Sequence, residues 1–174
     1  MFGDRASSSP LEVRPLDVYV GPFGHPTGIQ TVVAVNRAHY AKFVVRNQIT
    51  VSNVRIAIGA TSAGNVDVAI VDAATLARLA STGSTPVAAA NAQQDIPLTA
   101  PVTLYPGVVY WALLAATNIT CIFATHAVGP TPSSTLLAIS GLVGRNGTAD
   151  EFPIPATVLP PLHDGSRLYL TWFF

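Results

Sequence analysis

The sequence predicts an all-β protein, an antiparallel, jelly-roll-like β-sandwich of about nine to eleven short strands. Three observations point there. Apolar residues recur at every second position in several short runs, the period of a strand with a buried face. Gly, Pro and Asn punctuate those runs at short intervals. Helical spacing shows only over 73–81, through Leu76 and Leu79, and a segment of that length makes a marginal helix. A bent strand or hairpin return is expected there, although Asp72 could cap a helix.

The elements follow in order. Residues 1–10 form a small, polar arm, and 11–174 read as a single β-sandwich domain. Leu11 to Val20 alternates around Pro15, which suits an edge strand or a strand start. The loop 21–28 holds Phe23 and His25 among prolines and glycines. Ile29 to Val35 and Tyr40 to Val45 read as strands. Val54 to Asp72, VRIAIGATSAGNVDVAIVD, is the organising stretch. Val54, Ile56 and Ile58 share one face, as do Val66, Val68 and Ile70 after a small-residue turn. The expectation is a hairpin with one buried face.

Pro86 to Gln94 reads as a connection and Asp95 to Thr99 as a short strand. Leu104-Tyr105-Pro106-Gly107 has a type I or II turn signature. It leads into VVYWALLAA, 108–116, apolar on both faces and therefore a central strand or an interface strand. Ile119 to Ala124 returns, and Gly144 to Thr148 reads as a loop. Residues 152–161 carry prolines at 153, 155, 160 and 161 and read as an extended strap over the surface. Arg167 to Phe174 is a terminal strand, with Leu168, Leu170, Trp172 and Phe174 on one face. Its aromatics (Tyr169, Trp172, Phe173, Phe174) need cover, and with Trp111 they are the candidate interface residues.

Composition narrows the function classes. Hydrophobic residues make up 49% and charged residues 10%, far below the roughly 25% charged of typical soluble domains. A surface so poor in charge is expected to meet other protein. Nine basic residues, eight of them arginine, balance nine acidic ones. With no basic cluster there is no electrostatic footprint for nucleic acid. The N-terminus lacks a secretory signal pattern, and no apolar run is long enough for a membrane helix, so no membrane partner is expected. The single cysteine, Cys121, allows no intrachain disulfide and suits a small buried core position.

No motif nominates chemistry. The histidines (His25, His39, His126, His163) do not stand at metal-ligand spacing. Asp67 with Asp72, or Asp150 with Asp164, could join a calcium loop, but no DxDxD spacing supports one. There is no GxSxG elbow, GxGxxG or P-loop. No catalytic residue, metal or cofactor is therefore assigned, and the protein reads as a non-enzyme. Exposed aromatics can stack on sugar rings, and Phe23, Tyr105 and Trp111 are the candidates, with core or subunit packing the stronger reading for Trp111. Phe23, His25 and Tyr105 form the candidate ligand-binding loop set.

The segments SAGNVDVAIVDA, LARLASTGS and LTAPVTLYPGVVYWALLAA resemble a β-sandwich domain of tailed-bacteriophage virion proteins. Such domains occur in tail fibres, minor tail proteins and head decoration proteins. Gly64, Asn65, Val66, Asp67, Asp72, Leu79, Ala80, Gly83, Leu104, Pro106, Gly107 and Tyr110 match the pattern. Trp111 stands where a second Tyr is common, and Ala69 where Gly is common. The resemblance covers about residues 43–124, and turn and core residues carry it. It implies a virion structural role, commonly as a homotrimer bound to the major capsid protein or to tail proteins. A chain of this size without a fibre repeat favours a capsid decoration protein on the head surface. The alternative is a tail-associated receptor- or carbohydrate-binding module whose partner is a host glycan.

Overall fold

The computed structural model describes residues 18–20, 29–32, 36–117, 122–126, 143–145, 152–160, 168–169 and 171–174, with side chains described for 36–117, 123, 152–160 and 173–174. The described residues are all-β, without helix, and every strand pairing among them is antiparallel. They hold thirteen strands: β1 (Val18–Val20), β2 (Ile29–Val32), β3 (His39–Val44), β4 (Ile49–Ala57), β5 (Asn65–Asp72), β6 (Arg78–Ser81), β7 (Thr85–Pro86), β8 (Gln93–Leu104), β9 (Val109–Ala116), β10 (Ile122–His126), β11 (Val143–Arg145), β12 (Leu168–Tyr169) and β13 (Thr171–Phe173). The number exceeds the sequence expectation because pieces of two to four residues count separately. One of these, β11, lies partly in the stretch expected to be a loop.

One sheet has the order β1-β13-β4-β8, a second β12-β10-β2, and the largest β11-β3-β9-β5-β6, with β7 also paired to β5. The expected hairpin over Val54 to Asp72 does not form. β4 pairs with β8 and β13, whereas β5 pairs with β9, β6 and β7. The segment between them carries the chain from one sheet to another, anchored by Ile58 N–H to the Ala92 carbonyl (2.8 Å) and Asn91 N–H to the Gly59 carbonyl (2.7 Å).

The two strands have different solvation needs. β4 buries Val51, Val54 and Ile56 and turns Thr50 and Ser52 to solvent. β5 is buried on both faces from Val66 to Val71. A strand apolar on both sides needs cover on both sides, so it takes an interior place in a different sheet.

The same logic places β9. It lies between β3 and β5, in register Lys42↔Trp111 and Val71↔Trp111. Its even-numbered residues Tyr110, Ala112 and Leu114 join the main core with Val66, Val68 and Ile70 of β5. That core also takes Val51, Val54 and Ile56 from β4, Ile96 and Leu104 from β8, and Phe173 from β13. The odd-numbered Trp111, Leu113 and Ala115 face the other way, into a second cluster.

β8 is longer than expected and carries Pro97 and Pro101. Both are tolerated because β8 ends its sheet, where a missing N–H need not break a ladder. The β4–β8 register shifts between Val51 and Asn53. This shift puts Val51 and Val54, three apart in sequence, both in the core.

Residues 73–81 return as a hairpin, with Ile70↔Ala80 paired. Asp72 caps the turn instead of a helix. Its Oδ1 accepts from the N–H of Ala74 (2.9 Å) and Thr75 (2.8 Å) and from the Thr75 hydroxyl (3.0 Å). The hydrogen bonds, first that from the Thr75 backbone, hold its carboxyl below the ordinary value.

Between β8 and β9, where the chain again passes from one sheet to another, Val108 N–H reaches the Tyr105 carbonyl (3.4 Å) across Pro106 and Gly107. Gly107 has φ +81°, as the third residue of a type II turn requires. A Cβ there meets nothing within 4 Å, so Gly107→Ala carries only the left-handed backbone cost. An expected loss of about 1–2 kcal/mol can be read from a urea midpoint that moves with an unchanged slope.

Candidate functional site

The outer face of the largest sheet is built from β3, β9 and β5 and crossed by the segment 152–160. Ala38, Tyr40, Ala69, Val71, Trp111, Leu113 and Ala115 form its floor. From the crossing segment, Ile154 and Val158 press down, fully buried or nearly so, between exposed Pro153, Pro155, Ala156, Thr157 and Leu159. The prolines exclude helix, and a bend at Ala156 breaks the two-residue alternation of an extended chain, so that Ile154 and Val158 reach the floor while the residues between them face solvent.

Hydrogen bonds fix the strap along its length. Val158 N–H donates to the Leu76 carbonyl (3.0 Å), Arg78 N–H to the Ala156 carbonyl (2.8 Å), and the Tyr40 hydroxyl to the Leu159 carbonyl (3.0 Å). Ala77 and Thr157 form an isolated antiparallel bridge. At Ile154 two charged side chains converge. Its N–H donates to Asp67 Oδ2 (2.9 Å), and its carbonyl accepts from the Arg78 guanidinium. Asp67 Oδ1 also accepts from the Thr82 hydroxyl (3.2 Å).

Asp67 is fully buried, in the middle of an apolar strand. Burial raises its carboxyl above the ordinary value. The Ile154 N–H, the Thr82 hydroxyl, the Arg78 charge and the Gly83 backbone pull the other way without cancelling it. Such a carboxyl invites comparison with a catalytic acid. Here its oxygens are engaged by the strap and the β6–β7 turn, and no part of it is exposed to a substrate.

The residues singled out from the sequence are dispersed. Trp111 lies under the strap, 5% exposed. It meets Tyr40 edge-on at 5.9 Å, and Lys42 Nζ stands 4.9 Å from its ring centroid. Phe173 is fully buried in the main core, stacked 5.9 Å from Phe43. Phe174 is half-buried, with the Arg55 guanidinium 5.4 Å from its ring. Its carbonyl accepts from Ser52 N–H (2.9 Å) and Asn53 N–H (2.8 Å). The deeply buried member of the terminal pair is thus Phe173, on the face opposite to the one expected to carry Phe174. Tyr169 lies on β12 against β10, and Trp172 on β13 opposite Tyr19 and Arg55.

Tyr105 is 51% exposed at the turn before β9, its N–H donating to the Tyr110 hydroxyl (2.9 Å). Nearby, Val44 and Val109 face each other across β3 and β9, both exposed. Phe23 and His25 lie outside the described residues, as do Asp150, His163 and Asp164. Asp67 and Asp72 do not share a site, since each is bound to its own partners. Among the described residues no group of three or more His, Cys, Asp or Glu could hold a metal ion, and no helix is long and apolar enough to cross a membrane.

The strap contacts are what sequence reasoning missed. The available signal was the lone carboxylate inside VDVAIV, which needs a buried partner when its strand is covered on both sides. No family model matches the chain, and no curated protein matches it.

Proposed function

We propose that the protein is a non-enzymatic structural component of a tailed-bacteriophage virion, a capsid decoration protein with a jelly-roll-like β-sandwich fold. In this reading it assembles as a homotrimer and stabilises the head shell through subunit contacts. The observation that carries the reading is the sequence pattern over 43–124. Its glycines Gly64, Gly83 and Gly107 all stand at positive φ, and its Tyr110 and Asp67 are buried hydrogen-bonding residues. The pattern therefore behaves as a fold signature, made of residues a β-fold cannot easily exchange. A core fed by strands of the two larger sheets, with Phe123 of β10 added from the third, supports the sandwich. The low charge content and the exposed Val44–Val109 pair support burial against other protein.

Area buried at subunit joints stabilises a particle by mass action. Particles assembled without this chain should keep their morphology and lose infectivity faster on heating, with resistance restored when the purified protein is added back. Unchanged heat resistance, with the protein absent from purified particles, would overturn the proposal. A second reading, a host-glycan-binding module at the tail, draws on the exposed Tyr105. It predicts glycan-array binding that is lost on Tyr105→Ala.

A further inference from the structure

We propose that residues 152–160 form a proton-gated strap, whose closure over the outer face of the β3-β9-β5 sheet tightens when Asp67 takes up a proton. Such a gate is independent of any place in a virion. Both backbone groups of Ile154 are bound by charged side chains of the sheet, Asp67 and Arg78. With the strap in place, the Asp67 carboxylate is fully buried. Opening the strap returns both the carboxylate and the Ile154 N–H to solvent.

Removal from water disfavours the charged form of a carboxyl. The neutral acid gives up the attraction of the Arg78 charge, which burial outweighs, and can keep its contacts to the strap and to Thr82. Its carbonyl oxygen can keep the Ile154 N–H, and its new O–H can turn to Thr82 Oγ1. The Thr82 hydrogen then goes to the Gly83 carbonyl, already 3.1 Å away.

The groups acting on Asp67 are few among the described residues. From β6 comes Arg78, from the turn after it Thr82 and Gly83, and from the strap Ile154. The facing residue of β9 is Ala115. Asp67 is thus the one carboxyl in this set. Complete burial of the carboxyl under the strap gives the sign, because it disfavours the charged form more than the Ile154, Thr82, Arg78 and Gly83 contacts favour it. Closure is most favourable below the ordinary carboxyl value of 3.8 and weakens as pH rises through the raised one, above which it stays level.

Hydrogen exchange on the intact chain reads this directly. Opening constants for the Ile154 and Val158 amides, corrected for the intrinsic pH dependence of exchange, should rise as pH increases from about 3 to about 7, a range that spans the ordinary carboxyl value of 3.8. The rise is about tenfold for each pH unit by which closure lifts the Asp67 midpoint. In Asp67→Asn, a neutral isostere of the protonated acid, the same constants should be flat. The Leu113 amide in the central strand should follow neither change. Equal slopes in wild type and Asp67→Asn, or a falling wild-type slope, would overturn the proposal. Should Asp67→Asn fail to fold, carbon-detected titration of Asp67 in the wild type decides. A midpoint above the ordinary value and coincident with strap opening supports the gate, and a midpoint at or below that value overturns it.

Discussion

Phe173→Ala is expected to lower the unfolding free energy by about 3–5 kcal/mol, whereas Phe174→Ala should cost far less. Phe173 is fully buried against Phe43 and paired with Val54, in a strand that lies between β1 and β4. Its removal leaves a ring-sized cavity where side chains of two sheets meet. Phe174 keeps one side in solvent and contributes mainly through its backbone, which alanine retains. A loss of that size is a large share of the ~5–15 kcal/mol that holds a typical domain together. Urea unfolding of the two variants side by side is the check. Equal losses would mean that the terminal aromatics are not ordered as described.

Trp111→Ala is the second large effect, again about 3–5 kcal/mol, and it should reach beyond the cavity. The indole lies on the floor beneath the strap, with Tyr40 at its edge and Lys42 over its face. Tyr40 in turn holds the Leu159 carbonyl. Losing the indole should therefore loosen Tyr40 and speed exchange at Val158 more than at Val68 on the inner face of the same sheet. An equal effect on both amides would show that the outer face is not a separately stabilised layer. Trp111→Phe, which keeps an aromatic body, should recover most of the loss.

These expectations rest on features that were unevenly legible in the sequence. The β class, the both-face burial of β9 and the return of 73–81 onto β5 followed from period, composition and turn residues. They are local properties, and local properties can be read from neighbours in the chain. The pairing of β4 was not legible. Two alternating runs around a small-residue turn look alike whether the strands zip together or part into separate sheets. What separates them is the second face: Thr50 and Ser52 on β4 tolerate water, while Ala69 and Val71 on β5 do not. The long-range partner of Asp67 was also hidden. A carboxylate in an apolar strand announces that something must satisfy it, but 87 residues separate it from the Ile154 amide that does. Phe173 was hidden for a subtler reason. Trp172, Phe173 and Phe174 in succession offer two equally apolar faces, and only the tertiary pairing selects one.

The central claim, a place in the virion, is tested most directly by electron microscopy of phage particles from the source lysate, labelled with gold-conjugated antibody against this chain. Dense labelling over the heads is the result predicted by the decoration reading. Labelling confined to tails would contradict the head assignment and put the glycan-binding module in its place. Bare particles, in a preparation where the antibody still recognises the purified native protein, would contradict the virion role itself.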